Sequence, residues 1–487
     1  MSNICVDFGS KEVLNIEDLS IYDHERIAII GNNGAGKSTL LKLLAGELTP
    51  HEGKISCFTD FSYIPQIHKE HTTQDIKRDC DLLKGTGLMN KCKGSYSGGE
   101  RTTSRILDAI SENKPTLLLD EPTTFLDATG IKQLIKVLNR KDITVIFVSH
   151  NIAFINALAD KIWALEDGKI EEYYGNYYEY SKAKEMQLIE HERKRKQFLD
   201  KKKHLESMVE KKSKQAEKVM KVSKKKKKKN IKPNRLASTK QKDTVEKSIN
   251  KSMKAAMKKI ELLEEVPEIK QKREVVYPKA HFVQQHTQYP ILLNELSLKV
   301  GERILLEKVS LQIKKGSKIC ITGDNGTGKT TLLNYIYNEG EQVELSRTSK
   351  IAYFSQHGYL EGDEDSVYET VKNLDHLPDS FIHTVLIHLG FSYTDFKRPT
   401  HTLSGGERIR LSLAMVFLRK SNLLFLDEPT TFLDIETKKS LEKMIREYPG
   451  TVLMVSHDKD FIENTSEYIY EIKDKALVLT REKEKKH

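Results

Sequence analysis

The sequence lacks the features that would place it in a membrane or outside the cell. It has no apolar run of about 18 residues, the length that a membrane-spanning helix needs. No charged and then apolar leader follows Met1, so we expect no signal peptide. Cysteine is scarce and forms no Cys-x-x-Cys pair; the five residues are Cys5, Cys57, Cys80, Cys92 and Cys320. We therefore expect a reduced, cytoplasmic protein without a zinc site.

Positive charge is concentrated in one segment of the chain. The 487 residues carry a formal net charge of +10. Residues 181–273 alone contain 32 basic and 13 acidic residues, a net +19, so the remainder carries −9. Six of these basic residues are consecutive lysines, Lys224 to Lys229. This asymmetry indicates that residues 181–273 contact a polyanion, such as nucleic acid or an anionic membrane surface.

The rest of the chain is an internal repeat. The segment GNNGAGKSTLL at 31–41 returns as GDNGTGKTTLL at 323–333, and YSGGER at 96–101 returns as LSGGER at 403–408. LLLDEPTTFLD at 117–127 returns as LFLDEPTTFLD at 424–434. The order of the motifs is the same in both copies, so we interpret them as a duplicated domain. The second copy has 17 more residues between its glutamine and its SGGE motif, so the first has a trimmed subdomain.

Each copy contains a glycine-rich phosphate-binding loop (P-loop) between an apolar strand and a helical pattern. The glycines let backbone N–H groups and the helix N-terminus face an anion. Lys37 and Lys329 are expected to reach the β- and γ-phosphates, and the hydroxyl groups of Ser38 and Thr330 to ligate Mg²⁺. The expected nucleotide-binding residues are Gly31, Asn32, Gly34, Gly36, Lys37, Ser38 and Thr39, and Gly323, Asn325, Gly326, Gly328, Lys329, Thr330 and Thr331.

Acidic, histidine and glutamine residues follow the apolar strands of each copy. We expect Asp120 and Asp427 to hold Mg²⁺, and Glu121 and Glu428 to polarise the attacking water. The other expected catalytic residues are His150 and His457, which would contact the γ-phosphate, and Gln66 and Gln356, which would sense Mg²⁺ and the water. An acidic strand end or a lone histidine is often only a solvated residue. Their order after a P-loop favours a nucleoside triphosphatase.

The SGGE motifs predict a second anion-binding element at a helix start. The hydroxyl and N–H groups would come from Ser97, Gly98 and Gly99, and from Ser404, Gly405 and Gly406. Each P-loop already contacts the phosphates from one side. We therefore expect the SGGE motif of one copy to cap the ATP bound by the other. Two ATP molecules would then lie between the copies, and closure of the copies would depend on nucleotide.

Together these motifs resemble those of the ATP-binding cassette ATPases. Within that superfamily the twin cassettes resemble the class F proteins (ABC-F), because YYGNYYEYSKAKE at 173–185 resembles the start of their interdomain linker. NRLASTKQKDTVEKSINK at 234–251 resembles the linker of the antibiotic-resistance, ribosome-protection members (Msr- and Vga-like). The resemblance implies an α/β fold with two P-loop ABC-type ATPase domains at 1–180 and 274–487. A long antiparallel α-helical hairpin linker at 181–273, with its tip near 223–243, would join them.

The sequence departs from the class F pattern at two places. Both copies have Thr-Thr-Phe before Leu-Asp, where class F proteins commonly read DEPTNHLD. We expect this change to affect the hinge between the copies more than hydrolysis. Phe8, an aromatic residue that could stack on adenine, is replaced by Val300 in the second copy. The second site therefore has no aromatic residue at this position to contact the base.

The basic segment itself predicts two helices. Apolar residues recur at heptad-like intervals from Met186 to Val222 and from Val245 to Leu263, and Pro267 ends the second pattern. These seams argue against a disordered spacer, and the lack of a broad apolar face argues against a membrane contact. RNA contact is favoured: lysines that neutralise phosphates give affinity without base readout and a steep dependence on salt.

The resemblance implies a specific function. The expected partner is the 70S ribosome, contacted by the linker at 23S rRNA and near the P-site tRNA. The expected activity is hydrolysis of ATP to ADP and phosphate, with ATP and Mg²⁺ as cofactors. Binding would protect the 50S peptidyl-transferase and exit-tunnel region from antibiotics through linker-driven drug displacement. We expect a cytoplasmic, ribosome-associated monomer with paired cassettes. The alternatives are a housekeeping class F translation factor and, less favoured, the ATPase subunit of a drug exporter.

Overall fold

The computed structural model describes thirteen stretches of the chain: residues 1–8, 11–57, 59–65, 98–112, 114–124, 126–139, 142–228, 238–263, 265–268, 274–278, 283–355, 364–374 and 377–483. These residues form two compact units. The first contains residues 1–180 and 272–487, and the second contains residues 181–271. The first unit holds both copies of the repeat, which we call cassette 1 (1–180) and cassette 2 (272–487).

Cassette 1 contains a six-stranded and a three-stranded sheet. Its strands are β1 Ser2–Phe8, β2 Lys11–Asp18, β3 Arg26–Ile30, β4 Glu52–Lys54, β5 Phe61–Ile64, β6 Thr116–Asp120, β7 Thr144–Val148, β8 Lys161–Glu166 and β9 Lys169–Tyr174. Its helices are α1 Lys37–Leu44, α2 Gly98–Ser111, α3 Ala128–Asn139 and α4 Ile152–Leu158. The large sheet has the order β5-β6-β7-β3-β8-β9 and is parallel except for the β8–β9 pair. The small sheet has the order β2-β1-β4.

The two faces of the large sheet explain the continuous apolar runs in its strands. Alternate residues of β7, such as Val145 and Phe147, belong to the core that includes residues of α2, α3 and α4. Their neighbours Ile146 and Val148 belong to the core that includes residues of α1 and the small sheet. Because successive side chains of a strand point to opposite faces, a sheet covered on both faces needs apolar residues at every position. The cassette is therefore a three-layer α/β structure.

Cassette 2 repeats this plan. Its strands are β10 Ile291–Val300, β11 Arg303–Ile313, β12 Lys318–Thr322, β13 Val343–Leu345, β14 Ile351–Phe354, β15 Leu423–Asp427, β16 Thr451–Val455, β17 Tyr468–Lys473 and β18 Ala476–Glu482. The sheet orders are β14-β15-β16-β12-β17-β18 and β11-β10-β13. In both cassettes the P-loop strand lies in the middle of the large sheet. The loops after neighbouring parallel strands therefore meet at one edge, where ligands of such sheets bind.

A helical region lies between β14 and β15 of cassette 2. In chain order the linker helices are α5 (Tyr177–Lys228) and α6 (Ser238–Glu261). The cassette 2 helices that follow are α7 Lys329–Tyr337, α8 Val367–Lys372, α9 Asp379–His388, α10 Gly405–Leu418, α11 Ile435–Glu447 and α12 Lys459–Thr465. Two 3₁₀ turns, Asp395–Lys397 and Thr400–Thr402, precede α10. The helices α8 and α9 lie in the segment where the sequence gives cassette 2 its 17 additional residues. The corresponding residues 66–97 of cassette 1 lie outside the described part of the chain.

The second unit contains two helices that run antiparallel. They are α5, Tyr177–Lys228, whose first residues belong to cassette 1, and α6, Ser238–Glu261. Arg195 forms an ion pair with Glu268 at 3.0 Å, and the Lys212 ammonium group donates a hydrogen bond to Ser252. The residue farther along α5 therefore contacts the residue that comes earlier in the second half of the linker, as an antiparallel arrangement requires. At about 1.5 Å per residue, 52 residues make α5 about 78 Å long. The helix continues beyond Val222, where the apolar pattern ends, and includes most of the lysine run.

The predicted fold class, two P-loop cassettes joined by a helical hairpin, is confirmed by this architecture. Within the part of the chain that the structure describes, no helix is both long enough and apolar enough to span a bilayer.

Candidate functional site

The two P-loops have closely similar geometry. The Lys37 ammonium group donates hydrogen bonds to the carbonyl oxygens of Gly31 at 2.7 Å and Asn32 at 2.9 Å. Lys329 makes the same contacts with Gly323 at 2.9 Å and Asp324 at 2.8 Å. Both lysines are the first residue of a helix, α1 or α7, and are almost completely buried. Each P-loop therefore has a cation at a helix N-terminus, an arrangement that binds phosphate.

The glycine before each P-loop lysine is required by the backbone. Gly36 has a φ of 103° and Gly328 a φ of 99°, values that L-amino acids with a side chain rarely adopt. A Cβ atom on Gly36 would also lie 2.9 Å from the Cγ1 atom of Val13. Larger residues would therefore displace the loop from β2.

Oxygen atoms suited to Mg²⁺ meet beside each P-loop. The Thr330 hydroxyl donates a hydrogen bond to Oδ1 of Asp427 at 3.0 Å, and Ser38 hydrogen-bonds to Asp120 in the same way. Oδ1 of Asp120 is buried and has no hydrogen-bond partner among the described residues. Hydroxyl and carboxylate oxygens are the ligands that Mg²⁺ prefers, so these residues fit the metal. The other two expected ligands, Gln66 and Gln356, lie outside the described residues.

The glutamate that follows each of these aspartates has an unusual backbone conformation. Glu121 has a φ of 50° and Glu428 a φ of 49°. Their N–H groups donate to the carbonyl oxygens of Val148 and Val455, each at 3.0 Å. A non-glycine residue in the left-handed region carries strain, which persists only where the surrounding structure holds it in place. Both glutamates are therefore held at the ends of β6 and β15 by the neighbouring strands.

A histidine lies beside each glutamate. Nε2 of His150 is 3.2 Å from Oε1 of Glu121, and Nε2 of His457 is 3.5 Å from Oε1 of Glu428. Burial raises the pKa of both glutamates to about 8, although Lys37 and Lys329 act in the opposite direction. Burial lowers the pKa of His457 to about 4 and holds the pKa of His150 well below its ordinary value. Each site therefore pairs a neutral imidazole with a carboxyl group of raised pKa. In its ionised form, that carboxyl group is suited to act as a general base.

A single cavity of about 1060 Å³ connects these groups. Its walls contain residues of both P-loops and the Glu–His pairs of both cassettes. Ser404 and Gly406, from the SGGE motif of cassette 2, also line it, together with Lys37 and Glu121 of cassette 1. The structure thus brings the P-loop of one cassette and the SGGE motif of the other to one cavity.

The SGGE motif of cassette 2 forms the first turn of α10. Ser404 and Glu407 form a capping box, in which the Ser404 hydroxyl accepts from the Glu407 N–H and the Glu407 carboxylate accepts from the Ser404 N–H. Apart from chain neighbours and the backbone of α10 itself, no atom of the described residues lies within 4 Å of where a Cβ would stand on Gly405 or Gly406. The backbone there is open to a ligand. In cassette 1, Gly98 and Gly99 begin α2, whereas Ser97 lies outside the described residues.

Direct hydrogen bonds join the cassettes at this cavity. The backbone N–H of Asn33 donates to Oδ2 of Asp434 at 2.9 Å, and its side-chain amide donates to the carbonyl of Phe432 at 3.0 Å. In the opposite direction, the N–H of Asn325 donates to Oδ2 of Asp127 at 3.3 Å. The sequence interpretation named Asn32 and missed both aspartates. Their presence at the end of each repeated TTFLD motif is the signal that pointed to them.

Two further cations near the cavity are absent from the sequence interpretation. Arg410 in α10 donates to the carbonyl oxygens of Gly390 at 3.1 Å and Leu389 at 3.4 Å, and its guanidinium group lies 5.3 Å from the centre of the Phe391 ring. Lys438 in α11 is buried and also lines the cavity. Lys438 lies in a helix with many charged residues, where sequence alone suggests solvent exposure.

The chain matches known proteins over nearly its whole length. A family described as ABC transporter matches residues 14–124 and 306–431. The erythromycin resistance ATP-binding protein MsrA of Staphylococcus epidermidis is 37% identical over 471 residues, which cover 95% of this chain and 95% of that protein. The ribosome protection protein VmlR of Bacillus subtilis is 30% identical over 471 residues, which cover 96% of this chain and 85% of that protein.

Solved structures with the same fold are more distant in sequence. A structure of RNase-L Inhibitor covers 99% of this chain and 91% of its own, with a TM-score of 0.63 and 19% sequence identity. That likeness supports the tandem-cassette fold. With the twin P-loop sites and the matches above, the chain belongs to the class F ATP-binding cassette proteins, in the Msr-like group, and is an ATP-hydrolysing, nucleotide-binding protein.

Proposed function

We propose that this protein is a ribosome-binding ATPase that protects the 50S peptidyl-transferase and exit-tunnel region from antibiotics. Two ATP molecules bind between ATPase domains at 1–180 and 274–487, and the cassettes close on them. The closed form binds the 70S ribosome in the cytoplasm, and the basic linker at 181–273 displaces the drug. Hydrolysis to ADP and phosphate then reopens the protein and releases it. Closure of the cassettes thus determines when the protein binds the ribosome. The linker acts on 23S rRNA and near the P-site tRNA.

The proposed nucleotide sites combine residues that line the cavity with residues of the repeated sequence motifs. Site 1 comprises the P-loop lysine Lys37, the glutamate Glu121 and the histidine His150, capped by Ser404, Gly405 and Gly406 of cassette 2. Site 2 comprises Lys329, Glu428 and His457, capped by Ser97, Gly98 and Gly99 of cassette 1. Asp120 with Ser38, and Asp427 with Thr330, would hold Mg²⁺, with Gln66 and Gln356 as further ligands. What Mg²⁺ supplies when bound is neutralisation of charge on the phosphate oxygens.

Hydrolysis needs a group that accepts a proton from water. As the water oxygen bonds to the γ-phosphorus and the bond from that phosphorus to the ADP oxygen breaks, Glu121 or Glu428 takes the proton. Only the ionised form of each glutamate can accept this proton, and the raised pKa of about 8 makes that ionised carboxylate a stronger base. The P-loop lysines bind the β- and γ-phosphates, and the neutral histidines donate a hydrogen bond to the γ-phosphate.

The observation that carries this proposal is the shared cavity. Ser404 and Gly406 of cassette 2 line the same space as Lys37 and Glu121 of cassette 1. Nucleotide in that space would contact both cassettes and would bind their closed arrangement more tightly than a separated one. The linker's net charge of +19 and the names of the two relatives, one for erythromycin resistance and one for ribosome protection, support the ribosome as the partner.

Resistance in a drug-sensitive bacterial strain tests the proposal. The strain would express the wild-type chain, a deletion of residues 224–242 or the Glu121→Gln plus Glu428→Gln variant, and would be grown with macrolides, lincosamides, streptogramins and pleuromutilins. We expect the wild type to raise the inhibitory concentration of at least one class, and both variants to lose that protection. A variant with Lys224 to Lys229 changed to arginine keeps the charge and should still protect.

The same experiment separates the alternatives. No protection by the wild type against any class would contradict the proposal and favour a housekeeping translation factor. Protection with reduced drug accumulation in the cells would instead favour an exporter subunit. Protection that survives deletion of residues 224–242 would remove the linker from the mechanism.

A further inference from the structure

The two cassettes differ at a buried, cavity-lining residue four positions after the aspartate that ends each TTFLD motif. Asp434 and Asp127 are equivalent, because each accepts a hydrogen bond from an N–H three residues later at the start of its helix. The residue after that N–H is Lys438 in α11 of cassette 2 and Ile131 in α3 of cassette 1. Both residues are buried and both line the cavity.

Lys438 makes two polar contacts, one in each cassette. Its ammonium group donates a hydrogen bond to the carbonyl oxygen of His150 in cassette 1 at 3.0 Å. The same group forms an ion pair with the carboxylate of Asp458 in cassette 2. Asp458 directly follows His457 and caps α12 by accepting from the N–H of Phe461 at 3.1 Å. The buried Lys438 ammonium group therefore connects the loop that contains His150 to the loop that contains His457 and Asp458.

The equivalent residues of cassette 1, Ile131 and Asn151, cannot form this connection. Asn151 follows His150 and caps α4 by accepting from the N–H of Phe154 at 2.9 Å, just as Asp458 caps α12. Asn151 is neutral, however, and Ile131 has no hydrogen-bond donor in its side chain. The pair Lys438 and Asp458 thus replaces the pair Ile131 and Asn151 at equivalent positions. The His457 carbonyl can receive no hydrogen bond from the Ile131 side chain.

A buried ammonium group needs its partners. Lys438 is 5% exposed, so the free-energy cost of burying its ammonium group is offset by its contacts with the Asp458 carboxylate and the His150 carbonyl. Movement of the loop that contains His457 and Asp458 therefore changes the support that Lys438 gives to the His150 loop. Hydrogen bonds to charged groups are also stronger than those between neutral groups, which favours one position of the His150 loop.

We propose that Lys438 is a positioning residue that couples the nucleotide sites in one direction. From cassette 2 it holds the His150 loop of site 1 in its hydrolytic position, and cassette 1 gives site 2 no such support. Site 1 hydrolyses ATP fully only when the loop that contains His457 and Asp458 is also in place. This inference rests on the proposed hydrolysis at both sites and adds an order between them.

The test measures each site separately. Glu428→Gln leaves hydrolysis to site 1, and Glu121→Gln leaves it to site 2. Into each of these full-length proteins we would introduce Lys438→Ile together with Asp458→Asn, which reproduces the Ile131 and Asn151 pair of cassette 1. The double change removes both members of the ion pair, so no uncompensated buried charge remains.

We expect the paired change to lower kcat of site 1 about 10-fold, as loss of one hydrogen bond from a charged group predicts, with KM for ATP nearly unchanged. Site 2 should change less than about twofold, because its own loop then has the residues that cassette 1 carries. Lys438→Arg keeps a cation that can donate to both partners and should recover most of the site 1 activity. Thermal unfolding of every variant would be measured alongside.

Three results would overturn the inference. Equal loss at both sites would indicate a general structural role, and no loss at site 1 would show that the contact has no effect on hydrolysis. Complete inactivity of either single-glutamine protein would show that the sites do not turn over separately. By contrast, substantial hydrolysis in the protein with both glutamates changed would contradict the proposed function itself.

Discussion

The two cassettes share their reactive groups and differ in the residues that support them. The geometry is nearly the same in both for the P-loop lysines, for the glutamates with positive φ and for the neighbouring histidines. Around them, Arg410 of cassette 2 stands where cassette 1 has Thr103, and Lys438 stands where cassette 1 has Ile131. Unequal behaviour of the two sites would therefore arise from their surroundings, and the chemistry of each should be the same.

The largest expected effect tests the shared chemistry. Glu121→Gln and Glu428→Gln each replace a proton acceptor by a group of similar size that accepts no proton. Each change should lower turnover at its own site at least about 100-fold, because general base catalysis contributes that much or more. Steady-state phosphate release would measure it, with nucleotide binding as the control. If one change had no effect while the other abolished activity, only one cassette would be catalytic.

The next effect concerns Arg410 of cassette 2, which stands where cassette 1 has Thr103. Arg410→Met should destabilise the protein by about 2–3 kcal/mol, because it removes a buried guanidinium group and leaves the carbonyl oxygens of Leu389, which is buried, and of Gly390 without this donor. Chemical denaturation would measure the free energy of unfolding. Arg419→Met, at an exposed residue next to the same helix, is the matched control and should change it by less than about 0.5 kcal/mol. Equal effects would show that Arg410 adds nothing specific.

A smaller difference is expected at the contacts between the cassettes. Asp434→Ala should cost about 2 kcal/mol and Asp127→Ala about 1 kcal/mol, since both remove a helix cap but the hydrogen bond from Asn33 is shorter than that from Asn325. Thermal unfolding without nucleotide would rank them. The reverse order would show that the contact distances do not determine the strength of this interface.

The smallest effect is expected from exchanging the P-loop hydroxyl residues. Ser38→Thr and Thr330→Ser keep a hydroxyl beside Asp120 and Asp427, so the Mg²⁺ dependence of hydrolysis should change less than about twofold. Alanine at either position removes that oxygen and should raise the Mg²⁺ concentration needed for half-maximal rate. If alanine also had no effect, the hydroxyl groups would not be ligands.

Motifs with local geometry could be predicted from the sequence, whereas contacts between the copies could not. The apolar strand before Lys37, and the repeat that places Asp427 after another such strand, were enough to predict the fold and the residues that meet at the sheet edge. The pairing of Asn33 with Asp434 joins residues 401 positions apart, and no local pattern indicates it. Two copies must dock before that contact exists.

Buried charge was the hardest feature to predict. Lys438 lies in the segment IETKKSLEKM, which is typical of an exposed helix, yet it is 5% exposed. Its burial depends on His150 of the other cassette and on Asp458.

The linker, by contrast, could be predicted from local sequence. Its periodic apolar residues predicted two antiparallel helices from sequence alone, because a coiled seam is a local pattern.

The central claim is that nucleotide-driven closure of the two cassettes holds the protein on the ribosome. Co-sedimentation of the Glu121→Gln plus Glu428→Gln variant with 70S ribosomes tests it most directly, with ATP, with ADP and across a range of salt concentrations. The account predicts a long-lived complex with ATP that is absent with ADP and weakens steeply as salt rises. Dissociation with ATP as fast as that of the wild type, or equal binding with ADP, would contradict it.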